Sequence, residues 1–227
     1  MACKTINVRQ PAIMIYVCAG MYRSGSTWLF NAVRLILFRA NVPGLVAGWI
    51  ADKDSLLTHE NSVIKVHSFD EDLAARNGTI VLTSHRDLRD IVASLDRKFK
   101  TGFALALLRE TLESHTQWSK VAKLDLHYED LLVDRVLQVK KVAEVLQLPG
   151  SILGQLPYDS LLAEIDFERF SETRKHSLLP HDLTNLLHDG HITDGRHGSW
   201  KGYVPAAIVQ DIEDEFRPWL EARGYPI

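Results

Sequence analysis

The stretch from Ala12 to Arg39 limits the fold more than any other part of the chain. Ala12–Ala19 (AIMIYVCA) is a continuous apolar run with β-branched residues, closed by Gly20, the pattern of a strand buried on both faces. Ser26 or Thr27 can begin a helix, and Trp28–Arg39 continues it with apolar residues at helical spacing. The loop between them, Gly20-Met21-Tyr22-Arg23-Ser24-Gly25-Ser26-Thr27, has the spacing G-x-x-x-x-G-S-T. A strand buried on both faces needs helices above and below it, which points to a parallel sheet.

The rest of the chain fits that frame. Val63–His67, Thr79–Ser84 and Leu124–Tyr128 read as further strands. Helices are predicted from Asp87 to about Lys98, over Ala104–Val121, over Arg135–Leu148 behind Asp134 as N-cap, near Tyr158–Ile165, and from Pro205 to about Arg223. Asn41–Asn61 carries Pro43, Gly44 and Gly48 and reads as a long irregular crossover. The expectation is a single α/β domain over residues 1–227, with a central, mostly parallel sheet, helices on both faces and a P-loop-like first turn. Residues 1–11 would be an N-terminal extension, and about 175–201 a mobile, lid-like loop.

Composition narrows the function classes. Hydrophobic residues at 46% supply a core, and a net charge of −3 gives no global attraction to nucleic acid or anionic membrane. An anionic ligand must then be held by a local cluster of donors. Cys3 and Cys18 do not have the spacing of a metal or redox pair, and Cys18 reads as a buried thiol. Met1–Gln10 lacks the apolar region of a signal peptide, and Ala12–Gly20 is too short to span a bilayer. A soluble, cytoplasmic protein, monomer or homodimer, is expected, with no membrane span and no nucleic-acid partner.

Three segments carry chemistry. The first loop is a P-loop in spacing, with Ser26 where a nucleotide triphosphatase carries lysine. A glycine-bearing turn at a helix N-terminus offers N–H donors and the positive end of a dipole to an anion. Without the lysine that holds β- and γ-phosphates, the anion should not be a triphosphate, and Arg23 can supply the charge from within the loop. A plain tight β–α turn fits the loop taken alone. Lys65 and His67, two apart on a strand, project to one face. They suit either a cleft, where a histidine near neutral pKa serves as a general base, or an ordinary wet surface. Arg86 stands at a strand end with Ser94 eight residues on. A forked guanidinium and a hydroxyl together suit a phosphate, while an ion pair between Arg86 and Asp90 is the structural alternative. Arg89 is a secondary candidate. His85-Arg86-Asp87-Leu88 imitates a kinase H-R-D-L string, but Val92 stands where Asn is needed and no D-F-G follows.

Taken together, these segments resemble those of the sulfotransferases that use 3′-phosphoadenosine 5′-phosphosulfate (PAPS). Tyr22-Arg23-Ser24-Gly25-Ser26-Thr27-Trp28 is similar to the family's P-K-S-G-T-T-W loop, with arginine for lysine as in several Golgi-type branches. Lys65-x-His67 resembles its K-x-H, Arg86 and Ser94 its 3′-phosphate motif, and Tyr128-Glu129-Asp130 its Y-E-D segment. Gly195, Gly198, Trp200 and Lys201 match the late R-K-G-x-x-G-D-W-K segment, but Thr193-Asp194 replaces the Arg-Lys pair and Ser199 the Asp. The resemblance spans about Ile13–Gly224.

It implies in-line sulfuryl transfer from PAPS, the co-substrate, to a hydroxyl or amine, leaving adenosine 3′,5′-bisphosphate. His67 would be the general base. Arg23 would touch the bridging oxygen, and with Lys65 it would stabilise the leaving phosphate. Ser24, Gly25, Ser26, Thr27 and Trp28 would enclose the 5′-phosphate, and Arg86 and Ser94 the 3′-phosphate. Tyr128 would lie near the adenine, although a packed strand-end tyrosine fits it as well. Gly195, Arg196, His197 and Gly198 would close over the donor, with Arg196, His191 or His197 replacing the missing charge. The acceptor would be a small molecule, a carbohydrate or another natural product. No metal is required. His176, His181, His188, His191 and His197, at spacings of 5, 7, 3 and 6, fit no metal motif. Two rivals remain: a P-loop small-molecule kinase, against which the absent P-loop lysine and Walker B aspartate argue, and a non-catalytic nucleotide-binding protein of the same fold.

Overall fold

The computed structural model describes residues 13–170, 184–187 and 192–227. Residues 1–11, Cys3, and His176, His181, His188 and His191 of the expectations above lie outside them.

The first apolar run forms β1 (Met14–Cys18), and Gly25 caps the helix α1 (Ser26–Arg39) that follows. The next element corrects the sequence reading. Asn41–Asn61 is not an irregular crossover: it holds a strand, β2 (Leu45–Trp49), a 3₁₀ turn at Ile50–Asp52 and a short helix, α2 (Lys53–Leu56). β2 is a half-buried edge strand, so it lacks the unbroken apolar signal of β1. Gly48, which looked like a breaker, is a packing residue: a Cβ there would stand 3.2 Å from the Leu56 side chain.

β3 (Asn61–Lys65) follows, then α3 (Glu71–Ala75), which the sequence reading missed and which Asp70 caps by accepting the Leu73 N–H. β4 (Thr79–His85) leads into α4 (Leu88–Phe99), with Asp87 as N-cap. Next come α5 (Leu105–Ser119), β5 (Ala122–His127) and α6 (Tyr128–Val133). The remaining helices are α7 (Arg135–Val145), α8 (Gly150–Leu153), α9 (Tyr158–Phe170) and α10 (Ala206–Ala222).

The five strands among the described residues pair in parallel, in the order β2-β3-β1-β4-β5. Side-chain alternation divides the core between two faces. Tyr16, Cys18, Ile80 and Leu82 pack under α1, α7 and α9, while Ile15, Val17, Ile64 and Val81 pack against Leu73 of α3 and Trp118 of α5. No described helix is long and apolar enough to cross a membrane.

The strand order places the site. The chain builds β2 and β3 on one side of β1, then passes to the other side for β4 and β5. β1 is therefore the point where the winding reverses, and a crevice opens there at the carboxyl ends of the strands. The segments after β1, β3 and β4 are those that carry Arg23, His67 and Arg86.

Candidate active site

Those three strand ends line one cavity of about 410 Å³. From the first loop and helix come Arg23, Gly25, Ser26, Thr27 and Trp28; from β3, Lys65 and His67; from the β4–α4 side, Arg86 and Ser94. Tyr128 and Gly195 are the other residues of the sequence expectation that line it. Among the described residues no carboxylate lines this cavity, while four cations do: Arg23, Lys65, Arg86 and Arg135. The cations of the described lining are therefore gathered in one place despite the weak net charge.

The first loop is built to approach its neighbours closely. A Cβ on Gly20 would stand 2.6 Å from the Ser26 Cβ and would also strike the Ser84 hydroxyl. Gly25, at φ 81°, turns the chain into α1, and its carbonyl receives the first helical bond, from Leu29 N–H at 2.9 Å. The N–H groups of Ser26, Thr27 and Trp28 precede that bond and face out of the helix end. Ser24 serves the loop rather than the cavity: its hydroxyl is fully buried, 2.8 Å from the Met21 carbonyl and 2.7 Å from the Ser84 hydroxyl. Among the described residues, three buried polar atoms of the cavity lining have no partner: Thr27 Oγ1, Trp28 Nε1 and Arg86 Nε. Buried polar atoms are rarely left so, and a ligand rich in oxygen acceptors would satisfy the two N–H groups as well as the hydroxyl.

His67 lies just past β3, half-buried between the rings of Tyr22 and Trp49, at centroid distances of 4.2 and 5.5 Å. Its Nδ1 is 2.6 Å from the Gly20 carbonyl, which can only accept, so Nδ1 carries the proton and Nε2 the lone pair. Lys65 Nζ donates to that Nε2 at 3.2 Å. Burial holds the imidazole pKa well below its usual range, and the Lys65 charge adds to this against the Gly20 bond. His67 is therefore neutral at neutral pH, with a proton-accepting nitrogen at the cavity wall. Burial also lowers the Lys65 ammonium to about 8, and the charge of Arg23 pushes the same way.

Arg86 is both an ion-pair member and a cavity residue. Its Nη2 lies 3.6 Å from Asp90 and donates to the Arg196 carbonyl at 2.6 Å, and its guanidinium stacks over the Tyr128 ring at 4.2 Å. Ser94 Oγ accepts from Arg23 Nε at 2.9 Å. The secondary candidate Arg89 faces elsewhere: Asp87 binds it at two points and Glu213 at 2.6 Å, all buried within the α4–α10 contact.

The late loop departs from expectation in its side chains. Arg196 is 79% exposed and paired with Asp194, and His197 is 54% exposed beside Glu129 and Asp90. Neither side chain lines the cavity, nor does Gly198. The loop backbone turns inward instead: the carbonyls of Gly195 and Arg196 accept from Tyr128 and Arg86. The part of the expected lid from 192 to 201 is anchored, its turn at 197–200 held by Asp90 and Arg97.

One polar cluster was not foreseen. His85, His115 and Asp125 meet in the interior, at 2.9 and 3.1 Å from one carboxylate oxygen. Thr83 donates to that same oxygen and Arg223 pairs with the other. The carboxylate is thus saturated, its pKa held far below the usual range by these partners against its own burial. The cluster reads as the latch that docks the end of α10 on the sheet. Its members are 30 and 10 residues apart, so no local motif announces them.

No protein-family model matches the chain, and no curated protein matches it. Solved structures do. Mouse sulfotransferase SULT7A1 complexed with PAP is similar over 93% of this chain and 84% of its own, at 16% identity and a TM-score of 0.59. Retinol dehydratase in complex with androsterone and the inactive cofactor PAP matches over 91% and 80%, at 17% identity and a TM-score of 0.56. The same protein with retinol and PAP gives 15% identity and a TM-score of 0.57. The chain has the fold of these PAP-bound proteins, a P-loop-like parallel α/β sheet.

Proposed function

We propose that this chain is a sulfotransferase that moves a sulfuryl group from PAPS to an acceptor hydroxyl or amine. The observation that carries the reading is the convergence, on one cavity without a described carboxylate, of a neutral His67 whose Nε2 accepts from Lys65, the cations Arg23, Lys65 and Arg86, and the N-terminus of α1. The fold shared with PAP-bound proteins supports it. His67 Nε2 takes the acceptor proton as the acceptor oxygen or nitrogen bonds to sulfur. The bond from sulfur to the bridging oxygen breaks, and its electron pair leaves on the 5′-phosphate. Arg23, Lys65 and the N–H groups of the first loop meet that charge as it develops. No step calls on a metal. The acceptor is a small molecule, carbohydrate or other natural product, and the protein acts as a monomer or homodimer in the cytoplasm, where a free Cys18 thiol is stable.

The direct test is thermal. Adenosine 3′,5′-bisphosphate is expected to stabilise the folded chain by about 2.7 kcal/mol at a hundred-fold excess over Kd, and ATP by much less. An equal shift with ATP, or one that appears only with magnesium-ATP, would replace this reading with the kinase.

The pH profile gives a second test. His67 acts when neutral and its pKa lies below the usual range, so kcat/KM for the donor should stay flat from pH 7 to 6 and fall only at lower pH. Lys65 acts when charged, so kcat/KM should fall as pH rises through about 8. The measurement needs an acceptor that does not ionise in this range. Lys65→Arg keeps the charge at alkaline pH and should remove the upper limb. Persistence of that limb in Lys65→Arg would assign it to another group.

A further inference from the structure

The cavity wall formed by α4 and the late loop depends on one carboxylate that faces neither solvent nor cavity. Asp90 is fully buried, one turn after Arg86. Its Oδ2 accepts the Gly198 N–H at 2.8 Å, and its Oδ1 accepts the Trp200 N–H at 3.0 Å and the Ser199 hydroxyl at 3.1 Å. The Arg86 guanidinium lies 3.6 Å away as its nearest cation. A buried charge without partners is costly, and here every near partner belongs either to Arg86 or to the late loop.

The same face of α4 extends the clamp. Ser94, eight residues after Arg86, meets the Thr193 hydroxyl at 3.1 Å, and Arg97 donates to Ser199 Oγ and to its carbonyl at 3.0 and 2.6 Å. Beyond Asp90, Arg86 reaches the Arg196 carbonyl, and the Tyr128 hydroxyl donates to that of Gly195 at 3.0 Å. Asp194, which stands where the resembled motif has a basic residue, is neutralised by Arg97 and Arg196. The late-loop residues that line the cavity, Ile192, Thr193 and Gly195, carry no charge, and such a wall acts only where it is held.

We infer that Asp90 is a positioning residue for the donor: it locks Arg86 and the loop 195–200 to one another, so that the 3′-phosphate pocket exists before the donor arrives. This rests on the sulfotransferase reading. Asp90 itself touches no ligand. Its loss leaves the Arg86 fork without a counter-charge and the loop without three of its anchors, and both effects fall on the 3′-phosphate rather than on the 5′-side cradle made by α1.

The test is calorimetric titration of the full chain with adenosine 3′,5′-bisphosphate and with AMP, which lacks the 3′-phosphate. Asp90→Asn keeps the shape but turns an amide N–H₂ against the loop N–H groups. It is expected to weaken the bisphosphate roughly 10–100-fold, the scale of a lost charge-assisted contact, and to change AMP little. With Arg86→Ala already present, Asp90→Asn should add little, because the two act as one unit. Equal weakening of both ligands, or full additivity with Arg86→Ala, overturns the inference and leaves Asp90 a general fold residue. Should Asp90→Asn not fold, Arg97→Gln removes loop anchors from a more exposed side chain. A smaller loss confined to the bisphosphate is then expected, and an equal effect on both ligands, or none, overturns the inference. A wild-type chain that prefers AMP or binds neither nucleotide overturns the sulfotransferase reading itself, and this inference with it.

Discussion

Replacing His67 with alanine is expected to lower turnover by roughly 10²–10⁴-fold, the usual worth of general base catalysis, and to leave adenosine 3′,5′-bisphosphate binding nearly unchanged. The separation follows from position. His67 turns Nε2 toward the cavity, where Lys65 is its hydrogen-bond partner, and its other nitrogen is held by the Gly20 carbonyl. The donor phosphates are assigned to the first loop, Arg86 and Ser94, which lie on other strand ends. The variant should also lose the acid limb of the pH profile, since no imidazole remains to protonate. Lys65→Ala should behave differently. It removes a cation, so binding and rate should both suffer, and it frees Nε2 of the bond it now receives. The assay requires an acceptor, found by screening hydroxyl compounds, with donor hydrolysis to water as a weaker substitute. Near-normal turnover in His67→Ala would place the base elsewhere and sink the assignment.

What could be read from the sequence was whatever one strand and its next few residues decide. β1 announces itself because a central parallel strand must be apolar on both faces, and its loop and helix follow without interruption. Lys65 and His67 are two residues apart at the end of β3, and Arg86 and Ser94 eight apart at the start of α4, so one short stretch of chain sets each pair. β2 was not legible for the opposite reason. It is an edge strand, its Leu45–Trp49 run is half-exposed, and Gly48 is there to admit Leu56 from the next helix, a contact no local pattern records.

The late loop shows a second limit. Arg196 and His197 carried the right charge for an anion, but side-chain direction in a loop is set by competing partners. Asp194, two residues earlier, draws Arg196 outward, while its carbonyl turns in to meet Arg86. The useful group at that position is one that every residue type has. Ser24 is the mirror case: it lies in the expected motif, and its hydroxyl serves the turn itself.

Arg23 carries the second large effect. It holds φ at 61°, a left-handed conformation uncommon for a residue with a Cβ. Ser94 holds its guanidinium, and the Arg23 carbonyl accepts from Arg86 at 3.3 Å. Burial, followed by the charge of Arg86, lowers its pKa to about 10, with Tyr128 opposing. A cation kept in a partly dry cleft acts on developing charge more strongly than one in water. If it meets the leaving oxygen, Arg23→Ala should lower kcat by roughly 10²–10³-fold, as removal of one such donor does elsewhere. Bisphosphate binding should fall less, because that ligand has neither sulfuryl group nor bridging oxygen. Arg23→Lys should recover part of the rate by restoring charge without the fork. Arg23→Gly serves as control, since glycine relieves the φ strain while still removing the cation. If Arg23→Gly loses as much as Arg23→Ala, the loss belongs to the charge. If only KM rises and kcat stays level, Arg23 binds ground state and transition state alike, and the stabilising role passes to Lys65 and the N–H groups of α1.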